Sequence, residues 1–305
     1  MKKRAKSGKN KGIPVQKTRS SPPALPSAPR RPVKRAGALD ELDGLIGLGE
    51  VKKQVRKIVS LVQLGRERER KGLPQFDLTH DLVFTGNPGT GKTTVARIVG
   101  RIYKEIGLLK SGHMVEVNRG DLVAEYLGQT ALKTKEVVAR AMDGVLFIDD
   151  AYTLTPTGTP NDFGAEAVPT LLKAMEDYRE RLVVIVSGYR DEMEKFIDAN
   201  PGLKSHFKTF IEFEDYSPAD LFRIMVHMGA GAGVRFSADA QIAVANLMES
   251  LEIGKKGFGN GRTVRNIFEA CLARQAVRLS AKGRKVDVTV FELDDIPKAG
   301  EMVFS

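Results

Sequence analysis

The sequence contains one cysteine, no tryptophan and no long apolar run among its 305 residues. A single cysteine, Cys271, excludes internal disulfides and is typical of a reducing compartment. Its place in a helical pattern favours a small core residue over a reactive thiol. The longest apolar runs, 145–148 and 182–186, are far shorter than the ~20 residues of a membrane-spanning helix. We therefore expect no membrane span, no secretory signal and a cytoplasmic location.

Acidic residues are absent from residues 1–38, which carry twelve Lys or Arg. Subtracting these +12 charges from the formal net charge of +10 leaves −2 for residues 39–305. The high pI thus describes this tail, and it is no reason to expect a basic DNA-binding surface on the remaining chain. Because the tail is rich in Pro and Ser and has no large apolar run, we expect it to be disordered. A solvated tail is the simpler interpretation, and a weak tether to nucleic acid or an acidic partner is the alternative.

From residue 39 onward, helical patterns alternate with short apolar runs. The strand-like runs are 82–85, 115–118, 145–149, 182–187 and 211–213, and the helical patterns are 51–64, 93–106, 134–141 and 165–177. Strands separated by helices need crossover connections, so residues 39–216 are predicted to form a doubly wound α/β domain with a parallel sheet. Ligands are expected at the carboxyl ends of its strands. After Ser217 and Pro218, helical spacing predicts a small all-α domain over 217–305.

Residues 86–93 read Gly-Asn-Pro-Gly-Thr-Gly-Lys-Thr and match the phosphate-binding pattern GxxxxGK[ST]. The motif follows an apolar run and precedes a helical pattern, which is the context that it requires. The glycines let backbone N–H groups point at phosphate oxygens, and the next helix adds its positive end. Lys92 is expected to reach the β and γ phosphates of ATP, and the Thr93 hydroxyl to bind Mg²⁺. The nucleotide-binding residues predicted in this loop are Asn87, Pro88, Gly89, Thr90, Gly91, Lys92, Thr93 and Thr94.

Two acids, Asp149 and Asp150, end the apolar run at 145–148. At the carboxyl end of a strand, Asp149 is expected to hold Mg²⁺ opposite Thr93. Asp150 is expected to act as the base that orients the attacking water. An acidic pair after a strand is weak by itself, but together with the phosphate loop it predicts an ATPase.

Seven segments carry a resemblance to a known family. They are residues 45–48, 84–94, 125–130, 133–135, 144–149, 200–203 and 262–265. On these segments, residues 45–279 resemble the AAA+ ATPases of the subgroup that contains CbbX/CfxQ, SpoVK and the C-terminal domain of EccA. The resemblance implies a P-loop AAA+ domain followed by a helical lid, with ATP and Mg²⁺ as ligands. It also implies self-association into a hexamer or hetero-oligomeric ring that threads or remodels a protein substrate.

The resemblance also assigns roles around the nucleotide. Ile46 and Gly47 would line the adenine pocket. Arg262, with Arg265, would be the sensor 2 arginine that reaches the nucleotide from the lid and supports catalysis alongside Lys92 and Asp150. Ser187, at the end of the fourth strand, would occupy the sensor 1 position.

Two loops would face the central pore if the resemblance holds. Tyr126, with Leu127 and Gly128, would form the first, where an aromatic side chain beside a glycine grips a threaded chain. Without the family, an aromatic packed under its own loop is an equal alternative. The second pore loop would be residues 155–163, which are rich in Thr, Pro and Gly.

Two positions depart from the subgroup. Asp150 stands where its members carry Glu, and His206 stands where an arginine acts in trans on the next subunit's nucleotide, with Lys204 as a partial substitute. A base one methylene short and a missing arginine both predict slow hydrolysis. The sequence therefore favours an active ring-forming remodeller, with a hydrolysis-impaired nucleotide-binding regulatory subunit as the alternative. A DNA-linked ATPase anchored by the basic tail is a third interpretation.

Overall fold

The computed structural model describes residues 37–74, 78–124, 126, 128–155, 164–282, 287–298 and 301. All but the last two residues of the predicted tail, 1–38, lie outside this part of the chain. None of the helices in the described ranges is both long enough and apolar enough to cross a bilayer. Cys271 is fully buried and burial raises the pKa of its thiol to about 12, in agreement with a core residue.

A five-stranded sheet forms the centre of the larger domain. Its strands are β1 (Leu82–Thr85), β2 (Met114–Val117), β3 (Gly144–Ile148), β4 (Leu182–Gly188) and β5 (Thr209–Glu212). They lie in the order β2-β3-β4-β1-β5, and every neighbouring pair is parallel. The three central strands are buried along their whole length, as a parallel sheet covered on both faces requires. The predicted doubly wound α/β domain is confirmed.

Helices cover both faces of this sheet. In chain order they are α1 (Ala38–Gly44), α2 (Gly49–Arg70), α3 (Lys92–Glu105), α4 (Arg119–Leu122), α5 (Thr130–Ala141), α6 (Gly164–Asp177), α7 (Arg190–Asp198) and α8 (Pro201–His206). Successive side chains of a strand point to opposite faces, so Val145 and Phe147 pack with α1, α2 and α3. Leu146 and Ile148 pack with α5, α6 and α7. Each of these fully buried side chains contributes about 1.5–3 kcal/mol.

Helix α2 is the element whose length the sequence pattern underestimates most. It continues to Arg70, beyond the predicted end at residue 64. The added turns carry Arg and Glu, which are good helix formers but give no apolar signal. The helix ends where Gly72 takes a φ of 67°, a conformation that favours glycine.

The lid contains α9 (Pro218–Gly231), α10 (Ala238–Glu249) and α11 (Gly261–Lys282). The Ser217 and Ser237 hydroxyls accept N–H bonds that cap α9 and α10, and Pro218 fills the first position of α9. The helical lid is confirmed, with one addition: β6 (Arg235–Phe236) and β7 (Val290–Phe291) form a short parallel pair. Two-residue strands leave too little period-two pattern to be recognised from sequence.

Candidate nucleotide-binding site

The loop between β1 and α3 has a backbone shaped by its glycines. Gly86, Gly89 and Gly91 have φ angles of 142°, 71° and 94°, which residues with a side chain rarely adopt. Helix α3 begins at Lys92, so its positive amino end lies at the loop. The Lys92 ammonium donates hydrogen bonds of 2.8 Å to the carbonyl oxygens of Gly86 and Asn87. The predicted loop therefore forms one concave turn around its lysine.

The predicted acidic pair lies, like the phosphate loop, at the carboxyl ends of the sheet strands. Asp149 follows β3, and its Oδ1 accepts a 2.5 Å hydrogen bond from Ser187 Oγ at the end of β4. Asp150 has a left-handed backbone with a φ of 48°. Burial raises the pKa of Asp150, and repulsion from Asp149 adds to the rise, whereas the Lys92 charge lowers it. The structure thus brings Asp149, Asp150, Ser187 and Lys92 together.

A cavity of about 810 Å³ opens beside the loop and the acids. Part of its lining is apolar or aromatic and comes from both domains, namely Ile46, Leu48, Tyr216, Ile224 and Met228. The Tyr216 hydroxyl donates to the Thr90 carbonyl at 3.2 Å, which fixes the ring against the phosphate loop. Gly47 has a φ of 63°, and a Cβ there would lie 3.0 Å from that ring. Of the two residues predicted to line an adenine pocket, Ile46 lines this cavity and Gly47 does not. Sequence reasoning missed Tyr216 and the α9 residues, which a helical pattern does not separate from core positions.

Arg262 and Arg265 line the same cavity from the amino end of α11. Burial is the largest cause of the lowered Lys92 pKa, and the positive charge of Arg262 adds to it. The same charge opposes the rise that burial causes in the Asp150 pKa, so Arg262 acts on the two groups that the sequence placed next to phosphate. These cations give the cavity an electrostatic preference for an anion.

Tyr126 and Gly128 of the predicted first pore loop lie on the surface. The Tyr126 side chain is 66% exposed, which excludes packing beneath its own loop. Gly128 has a φ of 78° with open space around it. Leu127 and residues 156–163 of the second predicted pore loop lie outside the described residues.

The two predicted trans-acting residues lie on α8, which precedes β5. Because all five strands are parallel, the end of α8 lies at the amino ends of the strands, whereas the phosphate loop lies at their carboxyl ends. Lys204 pairs with Asp198 at 2.9 Å. His206 Nδ1 lies 4.0 Å from Asp81 Oδ2, and its Nε2 lies 3.9 Å from Glu176 Oε2. The imidazole is 17% exposed and faces its own domain.

Comparisons with known proteins agree with this architecture. Residues 82–215 match the ATPase family associated with various cellular activities (AAA), and residues 217–305 match the AAA lid domain. Protein CfxQ of Xanthobacter flavus is 44% identical over 250 residues, which cover 82% of this chain and 78% of that protein. Stage V sporulation protein K of Bacillus subtilis (strain 168) is 39% identical over 241 residues, covering 78% of this chain and 74% of that protein.

A solved structure of the FIGL-1 AAA domain in complex with ADP has a TM-score of 0.59 at 17% identity and covers 82% of this chain and 80% of that one. At this identity the likeness shows the fold alone. The identities to CfxQ and the sporulation protein confirm the resemblance that the sequence motifs indicated. The chain belongs to the AAA ATPase family.

Proposed function

We propose that this chain hydrolyses ATP and uses the energy to remodel a protein substrate as part of a ring. One observation carries the proposal: the phosphate loop, the acidic pair and the lid arginines line a single cavity together with apolar and aromatic side chains. The apolar lining suits a purine base, and the cations suit phosphates. Membership of the AAA ATPase family supports ATP as the nucleotide.

The roles of the phosphate-side residues follow from their positions. Backbone N–H groups of the loop and the Lys92 ammonium bind phosphate oxygens, and Arg262 contributes charge from the lid. The Thr93 hydroxyl and the Asp149 carboxylate fit Mg²⁺, which prefers oxygen ligands and usually binds through few protein groups plus phosphate. Ser187 fixes the Asp149 carboxylate through its 2.5 Å hydrogen bond. When bound, the ion would neutralise charge that develops on the phosphates.

Asp150 is the group proposed to orient the attacking water. Its pKa is raised by burial, and a base with a raised pKa accepts a proton more readily at neutral pH. Both acids follow β3, at the carboxyl ends of the strands, where the phosphate loop also lies. In this arrangement the attacking water would lie between Asp150 and the terminal phosphate.

The remodelling part of the proposal rests on Tyr126. Its exposed ring offers an apolar contact on the surface, and an exposed aromatic beside a glycine suits transient grip of many sequences. AAA ATPases generally assemble into rings, which would set several copies of this loop around one opening. We propose a hexamer or a mixed ring in the cytoplasm, acting on a protein substrate.

Steady-state ATP turnover tests the enzymatic part. The wild-type chain with Mg²⁺ should release phosphate well above the rate of Lys92→Ala, which removes the phosphate-binding ammonium. Lys71→Ala is a matched control, since it removes an exposed ammonium that pairs with Glu67 at the end of α2. Equal rates for wild type and Lys92→Ala would refute hydrolysis at this site.

A hydrolysis-impaired regulatory subunit is the second candidate, and two observations favour it. Asp150 is one methylene shorter than Glu, and His206 faces Asp81 and Glu176 of its own domain. Tight ATP binding without turnover, together with activity in Asp150→Glu combined with His206→Arg, would support this candidate. Asp150→Glu should also be measured alone, because an arginine introduced at position 206 can pair with the two nearby acids.

A further inference from the structure

The lid is tied to the phosphate loop by a network of side chains. Asn87 Nδ2 lies 3.0 Å from both carboxylate oxygens of Asp215. Asn260 Nδ2 donates to Asp215 Oδ1 at 2.6 Å. Asn87 belongs to the phosphate loop, Asp215 precedes α9, and Asn260 precedes α11. The network therefore joins three segments that are distant along the chain.

The Asn87 amide also contacts residues 254–260 of the lid, which we call the lid loop. Asn87 Oδ1 accepts a hydrogen bond of 3.1 Å from the Gly257 N–H, and Asn87 Nδ2 donates to the Lys255 carbonyl at 3.1 Å. The Gly254 N–H donates to Asp215 Oδ2 at 2.9 Å. Asn87 is not among the residues that line the cavity, although its neighbours on both sides are. The Asn87 side chain thus recognises the lid loop, while nucleotide contacts in this part of the loop fall to the backbone.

The backbone of Asn87 faces the phosphate side. Its carbonyl oxygen accepts hydrogen bonds of 2.8 Å from Lys92 Nζ and 2.8 Å from Thr90 Oγ1. When the Lys92 ammonium turns to a phosphate, this carbonyl loses one of its two donors. Any resulting shift of the Asn87 backbone moves a side chain that is held by the lid.

The loop and the lid also touch backbone to backbone. The Gly261 N–H donates to the Gly89 carbonyl at 3.1 Å. A Cβ at Gly89 would lie 2.1 Å from the Gly259 carbonyl oxygen, so no side chain fits between them. With this little space, a displacement of the loop is passed directly to the start of α11 and to Arg262.

We propose that Asn87 is a positioning residue that couples the phosphate loop to the lid through Asp215 and Asn260. Nucleotides that differ in their terminal phosphate would then set different lid positions. The inference rests on the proposed nucleotide-binding function, because it needs a phosphate at Lys92.

Pairs of spin labels can measure the lid position in the full chain. Lys53→Cys on α2 and Val277→Cys on α11 would carry the labels, since these side chains are 74% and 70% exposed. The native Cys271 is fully buried and is expected to stay unlabelled. Distances between the labels would be compared with ADP and with a non-hydrolysable ATP analogue. We expect the distance to differ between these two nucleotides.

In Asn87→Ala and in Asp215→Asn, that difference should fall to less than about half. Lys71→Ala should retain it, because this control removes an exposed ammonium that pairs with Glu67 at the end of α2 and leaves the network intact. Calorimetry provides a second measurement: each network variant should weaken ADP binding by about tenfold, the value of one charge-assisted hydrogen bond. The double variant should weaken binding little further, because both changes break the same link.

The outcomes separate the inference from the function on which it rests. Absence of nucleotide binding by the labelled reference chain would overturn both. A reference chain that binds both nucleotides without a change in the distance would overturn the coupling alone. The coupling would also be overturned if the network variants kept the full change in distance between the labels, or if the losses of ADP affinity were additive in the double variant.

Discussion

Replacing Asp81 by Asn is expected to stabilise the chain, and the gain should grow as the pH rises. Asp81 is only 8% exposed, and its Oδ1 accepts a 2.8 Å hydrogen bond from the Val184 N–H. Burial raises the pKa of this carboxyl group from the ordinary 3.8 to about 7, while the hydrogen bond opposes the rise. An asparagine keeps the acceptor for Val184 and carries no charge to desolvate.

The size of the effect follows from proton linkage. The folded chain keeps the Asp81 proton that the unfolded chain releases above about pH 4. The contribution of this group to stability therefore falls between about pH 4 and pH 7 and is constant above that range. A pKa raised from 3.8 to about 7 corresponds to at most about 4 kcal/mol. Asp81→Asn should thus change little near pH 4 and add up to about 4 kcal/mol near pH 8.

Urea unfolding of wild type and variant at several pH values measures this difference. The quantity to compare is the difference in unfolding free energy between variant and wild type at each pH. Burial also lowers the pKa of the neighbouring His80, and this gives the wild-type stability a second dependence on pH, of opposite sign. Glu176→Gln is the matched control: Glu176 also faces His206, at 3.9 Å, but it is exposed. An Asp81→Asn gain that is independent of pH, or a loss of stability near pH 8, would refute the reasoning.

Three further predictions concern the lid, the phosphate loop and the exposed tyrosine. Arg278→Ala should lower the free energy of unfolding by about 3–5 kcal/mol in urea, because it removes the charge partner of the fully buried Asp295 and two of its three hydrogen bonds, those of 2.8 and 2.7 Å. Gly89→Ala should weaken ADP binding by at least about tenfold in calorimetry, since its Cβ would lie 2.1 Å from the Gly259 carbonyl; unchanged affinity would contradict the close contact. Tyr126→Ala should reduce the stimulation of ATP turnover by an unfolded protein substrate more than it reduces the unstimulated rate, and equal losses would argue against a substrate-gripping role.

The sequence could predict the elements whose signal is local. The phosphate loop follows a buried strand and starts a helix, and all three features lie within residues 82–105. The five sheet strands are short apolar runs, so their existence was evident, although β5 begins at Thr209 before its apolar residues. The domain boundary at 216–217 and the roles of the individual site residues remain predictions.

Contacts between distant segments had no such signal. Asn87 reads as one more polar residue of the phosphate loop, and only the folded chain shows its amide meeting Asp215. The resemblance predicts a trans-acting role at the position of His206, and the sequence had no sign that the packing of α8 turns this side chain towards Asp81. Tyr216 follows the last sheet strand without any pattern that distinguishes a cavity wall from a core position.

The residues that line the cavity lie within segments 44–48, 86–94, 149–150, 188–189, 216–228 and 261–265. During synthesis, the first of these segments leaves the ribosome long before the last, and chains grow at only about 5–20 residues per second. A nascent chain thus has its phosphate loop many seconds before it has Arg262. If the α/β domain folds before the lid has been translated, it folds without the nucleotide contacts of the lid, and ATP can stabilise the protein fully only after the lid has been made.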